Sequence, residues 1–310
     1  MGGATASRMT RLALAALVMV VAAACSGGST GRAAPEDPRR PTITIASFTF
    51  TESGILAEIY AQALRLHGYP VEVVAALGPR EIVEPALEQG RVDLVPEYLG
   101  TALDFVSGGE RLATADASRT HGMLRRAFAA RGVTVLDFAA AESRNGYVVT
   151  SSSAREHHLR RISDLLPLAS RLTFGGPPEC PPRPLCLKGL EDLYGLRFGR
   201  FEPMPSRVVT AAALAMGEID VGMIETTDGT LATNDLVQLE DDRRLQPAEN
   251  IVPALRSRTL DVYGAPLVGV LNAVTRGLTT RELIDLNRRV QLEQQPVATV
   301  AGDWLRDHPA

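Results

Sequence analysis

The stretch VDLVPEYLGTALDF, residues 92–105, decides the fold class. It opens as a short buried strand, VDLV, and then runs through Pro96, Glu97, Tyr98, a glycine and Thr101 before a new apolar run begins. A strand that passes directly into a helix is the repeating unit of an α/β sheet. The tip between them, at the carboxyl end of the strand, is where open α/β sheets hold ligands. An aromatic ring and a hydroxyl at that tip raise the question of which ligand they would meet.

Working outward, TITIAS (42–47) and VEVVAA (71–76) have the β-branched character of strands. The segment ESGILAEIYAQALRLHG (52–68) repeats apolar residues at helical spacing through Ile55, Ile59, Ala63 and Leu66 and stops at Gly68. PREIVEPALEQG (79–90) reads as a helix bent by Pro85, and ASRTHGMLRRAFAARG (117–132) as another, leading into the strand VTVLDF (133–138). Three strands separated by helices predict a parallel sheet. A second β/α set follows: NGYVVTSS (145–152), RLTFGG (171–176), a helix near KGLEDLYG (188–195), GRFEPM (199–204), the helix SRVVTAAALAMG (206–217) and IDVGMI (219–224). The two sets are similar in composition but show no obvious repeat identity. The C-terminal part has few strand signals. A capping box, Thr279 with Glu282, starts a helix there, and VATVAGDWLRDH (297–308) reads as a last helix that docks Trp304.

A chain of 310 residues with 45% hydrophobic content suffices for two α/β lobes, and a formal charge of -4 argues against nucleic acid as a partner. At the N-terminus Arg8 and Arg11 precede LALAALVMVVAAAC, an apolar run ending at Cys25. It is short for a membrane span and reads as a secretory signal. Cys25, after three alanines, resembles the lipid-accepting cysteine of a bacterial lipoprotein, with Met9 as an alternative start. Residues 26–42 read as a flexible tether. The two remaining cysteines, Cys180 and Cys186, fit a disulfide in an oxidising compartment; a metal site would need further clustered ligands.

IASFTFTESGILAEIYAQAL, LGPREIVEPALEQGRVDLVPEYLGTAL, LTFGGPPE, TTDG and DLVQLEDD, in this order, resemble the glycine betaine/carnitine/choline-binding proteins of osmoprotectant ABC importers. The resemblance runs from about residue 43 to the end. It implies a two-lobed periplasmic-binding-protein-like fold of type II, with a ligand cleft between lobes joined by two crossover strands. Lobe one would hold residues 43–146 and 250–310, and lobe two residues 147–249. It further implies an extracytoplasmic, lipid-anchored monomer that hands a quaternary ammonium compound to a membrane permease, without metal, cofactor or covalent chemistry.

In such proteins the quaternary ammonium sits among aromatic rings, because a methylated ammonium lacks N–H donors but is drawn to ring quadrupoles. By resemblance Tyr98 would be one ring, Thr101 a hydrogen-bond donor, Tyr147 a second ring with Asn145 beside it, and Arg183 the group that grips a ligand carboxylate. Where the family pattern has two more tyrosines this chain has Glu225 and Glu249, and where it has an early polar residue this chain has Phe48. Two carboxylates in place of two rings would turn the cleft negative and favour a cation such as choline over a zwitterion.

Three other readings stand beside this one. An enzyme on the same scaffold lacks support, since the chain has no P-loop or zinc-protease motif and none of its five histidines falls in a candidate site segment. Asp241 and Asp242 would be its paired carboxylates, but they read as a strand end salted by Arg243 and Arg244. The others are the same fold binding a polyamine, an aromatic compound or a polyol, and a membrane-tethered ligand sensor.

Overall fold

The computed structural model describes residues 41–232 and 235–310. The expected signal segment, Cys25 and nearly all of the tether lie outside the described residues.

The first β/α set forms as its periodicity predicts. Strand β1 (Ile43–Phe48) leads into α1 (Thr51–Leu66), β2 (Val71–Gly78), α2 (Arg80–Glu88), β3 (Leu94–Tyr98) and α3 (Leu99–Val106). Helix α4 (Ala117–Ala129) and the short β4 (Val133–Val135) complete it. Helix α1 buries Ile55, Leu56, Ile59, Tyr60 and Leu64 on one face, which fixes it against the sheet.

The second set runs through β5 (Asn145–Thr150), α5 (Ser151–Glu156), β6 (Thr173–Gly176), α6 (Leu187–Gly189), β7 (Arg200–Pro203), α7 (Arg207–Met216), β8 (Val221–Glu225) and β9 (Leu236–Gln238). The chain then returns through β10 (Ile251–Arg256) to α8 (Ser257–Gly277), α9 (Thr280–Gln291) and α10 (Val297–Asp307). The capping box expected from Thr279 and Glu282 starts α9, and α10 buries Trp304.

Two five-stranded sheets result, ordered β2-β1-β3-β10-β4 and β7-β6-β8-β5-β9. In each, three strands are parallel and the fourth is antiparallel to its neighbours. The order is the same in both once each set is counted from its own first parallel strand. The antiparallel strands, β10 and β5, each follow a passage from the other sheet. Residues 136–144 carry the chain over and residues 239–250 carry it back. These two connectors lie antiparallel: Glu142 bridges to Asn250, Ser143 N donates to Glu249 O at 3.0 Å, and Ile251 N donates to Ala141 O at 3.0 Å.

The structure shows a repeat that the sequence reading does not find. The same spacing separates Arg80 from Arg207, Gly90 from Gly217 and Asp93 from Asp220. Gly90 and Gly217 end their helices with φ of 71°, a conformation that glycine adopts without steric cost. Asp93 accepts the backbone N–H of Thr44 in β1 at 2.9 Å, and Asp220 accepts that of Thr173 in β6 at 2.7 Å. Arg80 and Arg207, each at the first position of its helix, both hold a glutamate near the end of the next parallel strand, Glu97 and Glu225.

Candidate functional site

A cleft of about 790 Å³ lies between the two sheets. Its first wall comes from strand tips and helix starts of the first sheet: Phe50, Thr51 and Glu52 at the start of α1, Arg80 at the start of α2, and Tyr98 and Thr101 where β3 becomes α3. Its second wall comes from Arg144, Asn145, Arg183, Arg207, Glu225 and Asp228. Glu249, on the returning connector, and Asn287 of α9 also face it.

Six residues expected from sequence therefore line one cleft: Tyr98, Thr101, Asn145, Arg183, Glu225 and Glu249. Two do not, and both are corrections. Phe48 is buried in β1, with Phe50 stacked on it at 5.7 Å and the Arg80 guanidinium over its ring at 4.9 Å. The ring that reaches the cleft is Phe50, two residues on, 48% exposed and 5.8 Å from the Tyr98 ring. Tyr147 is buried in the second sheet's core against Phe174, and its hydroxyl donates to the Leu185 carbonyl at 3.2 Å. Leu185 itself lines the cleft, so the loop that carries it covers the ring. Among the described residues, Phe50 and Tyr98 are the aromatic side chains of the lining.

Glu249 sits on the amino end of α3. Its carboxylate accepts from Gly100 N at 3.0 Å and Thr101 N at 3.1 Å. A Cβ on Gly100 would meet the Glu249 carboxylate at 2.9 Å and the Ala248 carbonyl at 3.0 Å, which explains the glycine before Thr101. Burial pushes the Glu249 carboxyl up to about 8, although these donors and Arg80 oppose it. Glu52 is buried as well; it accepts from the Tyr98 hydroxyl at 2.8 Å and from Asn287 Nδ2 at 2.7 Å, and burial raises its carboxyl too.

The raised Glu249 gives a stability prediction with a definite sign. The unfolded carboxyl ionises near 4.5 and the folded one near 8, so the folded protein holds the extra proton between those values. This contribution is fully present below the unfolded value and is lost as pH rises through the folded one, at up to about 1.4 kcal/mol per pH unit. Urea unfolding of wild type and Glu249→Gln at several pH values should show the variant's stability falling less steeply across this window. Parallel pH profiles would contradict the assignment.

Glu225 is held differently. Arg207 grips both its oxygens, with Nε to Oε2 at 2.6 Å. Below the first wall, Arg80 forms the matching pair with the fully buried Glu97, at 3.2 and 2.8 Å. Burial opposes the charge on Glu97, but Arg80 and the hydrogen bond from Tyr98 N outweigh it and hold the carboxyl low. Glu84, buried beside it, is pushed well upward by burial and by Glu97, and stays protonated. Sequence reading missed this triad because no local signal marks a buried charge.

The disulfide expected from the cysteine count joins Cys180 and Cys186. It closes a loop in which Arg183 borders the cleft, 61% exposed and 3.4 Å from Glu179. Asp241 proves to organise a turn: it accepts from the Tyr194 hydroxyl at 2.6 Å and from Leu245 N and Gln246 N at 2.9 and 2.8 Å. Arg243, expected to salt it, lies over the Tyr194 ring at 5.3 Å.

A polar cleft between two sheets joined by paired connectors, open to a small molecule from both walls, defines a ligand-capturing protein with two lobes. Residues 41–307 match the family model described as OpuAC, the substrate binding domain of ABC-type glycine betaine transport systems. The chain belongs to that family. It is 30% identical over 281 residues to a glycine-betaine-binding protein of Pseudomonas aeruginosa, covering 86% of this chain and 88% of the relative. It is 24% identical over 274 residues to the glycine betaine-binding protein YehZ of Escherichia coli, covering 85% and 90%. A crystal structure described as a glycine betaine/carnitine/choline ABC transporter superposes with a TM-score of 0.79 at 24% identity, over 86% of this chain and 98% of that one. That likeness confirms the fold.

Proposed function

We propose that this protein captures a zwitterionic quaternary amine, of which glycine betaine is the simplest, and delivers it to an ABC permease. The observation that carries this reading is the polarity of the cleft. One wall supplies the Phe50 and Tyr98 rings with Glu52 and Glu249 behind them, and the other supplies Arg144 and Arg183. The negative cleft expected from Glu225 and Glu249 does not form. Glu225 is paired with Arg207, and burial keeps Glu249 protonated below about pH 8, so neither brings a free negative charge to the lining. The argument for choline therefore loses its premise. A trimethylammonium group against the two rings, with a carboxylate toward the arginines, uses both walls.

The expected lobe boundary at 146/147 falls inside β5, so we read lobe one as residues 43–144 and 250–310 and lobe two as residues 145–249, hinged where the connectors pair. A ligand that touches both walls binds the closed arrangement better than the open one, and this differential affinity drives closure. Binding and release need no bond making, so no enzymatic step is part of the reading. The chain is read as an extracytoplasmic monomer tethered through a lipid on Cys25.

Calorimetric titration with glycine betaine, comparing wild type with Phe50→Ala, tests the reading. Loss of one cation–π face should weaken binding by roughly 5- to 30-fold. Unchanged affinity would remove Phe50 from the site, and failure of wild type to bind would sink the ligand class.

A further inference from the structure

The Leu185 carbonyl oxygen accepts three hydrogen bonds: from Asn145 Nδ2 at 3.0 Å, from the Tyr147 hydroxyl at 3.2 Å and from Gln246 Nε2 at 3.0 Å. Three donors on one carbonyl exceed what its two lone pairs ordinarily hold. Gln246 Nε2 also meets the Tyr147 hydroxyl at 3.3 Å, so these two donors form a buried pair. Tyr147 and Gln246 are each 1% exposed. A polar cluster at the cleft edge, two of whose three donors are buried, converging on a loop carbonyl fixes that loop in one place.

The loop in question is the one closed by Cys180 and Cys186. Two turns stiffen it: Arg183 N donates to Cys180 O, and Cys186 N donates to Arg183 O, both at 3.0 Å. Pro181, Pro182 and Pro184 flank Arg183 and fix their own φ angles. Internal rigidity sets the shape of the loop but not its position against the cleft. The Leu185 carbonyl supplies the position, two residues from Arg183. Its donors come from two segments: Asn145 and Tyr147 lie on β5, just past the outgoing connector, and Gln246 lies on the returning one.

We propose that Asn145, Tyr147 and Gln246 are positioning residues that anchor Leu185 to β5 and the returning connector, aim Arg183 at the anionic end of a ligand, and so set selectivity for carboxylate-bearing over carboxylate-free quaternary amines. This rests on the ligand class proposed above. Tyr147 is the cleanest probe, because its ring does not line the cleft and Tyr147→Phe removes one hydroxyl from a packed core.

The test is calorimetric titration of the protein with glycine betaine and with choline, which lacks the carboxylate, alongside thermal unfolding. In Tyr147→Phe the ratio of betaine to choline affinity should fall about 3- to 10-fold, and in Arg183→Ala it should fall further. The double variant Cys180→Ser/Cys186→Ser, which frees the loop, should lower the ratio as well. A variant that changed only stability would weaken both ligands alike and leave the ratio fixed. That result in both the tyrosine and the cysteine variants, with the ratio still falling in Arg183→Ala, overturns the positioning role and leaves the ligand class standing. Failure of wild type to bind either compound overturns both.

Discussion

Glu97→Ala is expected to lower the unfolding free energy by about 3–5 kcal/mol, because removing one partner of a buried ion pair leaves the other uncompensated. Glu97 is fully buried and takes both Arg80 hydrogen bonds and the Tyr98 backbone N–H. Alanine strands a guanidinium against the Phe48 ring. In a chain of this size the melting temperature should drop by roughly 10 °C. A drop under about 2 °C would mean that Arg80 finds water or another acceptor. The repeat supplies an internal control: Glu225 makes the equivalent pair with Arg207 but is 35% exposed, so Glu225→Ala should cost much less.

Gly189→Ala should damage both folding and binding. A Cβ at this position would lie 1.9 Å from the Pro184 carbonyl oxygen and 2.6 Å from Leu245 Cδ1. The Leu245 methyl can rotate aside, but the Pro184 carbonyl is backbone of the disulfide-closed loop and does not yield freely. Overpacking of this kind costs about 1–3 kcal/mol. The loop must also shift by more than 1 Å, roughly, to restore normal contact, which withdraws Arg183 from its place. Thermal unfolding should register the first effect, and a fall of about tenfold or more in glycine betaine affinity the second. Normal values for both would show that the loop adapts and that Arg183 does not depend on its position.

Much of the fold was legible in the sequence because its signals are local. The β-branched runs at β1 and β2, the apolar spacing of α1 and the capping box of α9 each declare their element. The elements that were missed carry residues that argue against them. Strand β10 contains Pro253, which register places opposite Pro96 of β3, so that the two residues without an N–H face one another. Helix α8 is broken by Gly264, at φ 69° and ψ -161°, and contains Pro266. The repeat escaped notice because only a few structural positions, such as the paired arginines and aspartates, persist in both halves.

The site was legible where the strand-tip rule and the family resemblance coincide. Tyr98, Thr101, Asn145 and Glu225 stand at or beside strand ends and reach the cleft. The resemblance puts Phe48 at the family's early polar position but does not say which ring of a closely spaced pair turns outward, and Phe50 is the one that does. It also says nothing of what another segment lays over a strand tip, and Tyr147 is covered by a loop almost forty residues away in sequence, through Leu185. Most consequentially, Arg207 lies far from Glu225 in the chain, and only the fold shows that one cancels the other.

The most direct measurement is a crystal structure of the protein grown with glycine betaine. The account predicts the trimethylammonium group within about 6 Å of the Phe50 and Tyr98 ring centroids, and the carboxylate turned toward Arg144 and Arg183. A ligand bound in the opposite sense, or a cleft left empty at saturating glycine betaine, would contradict it.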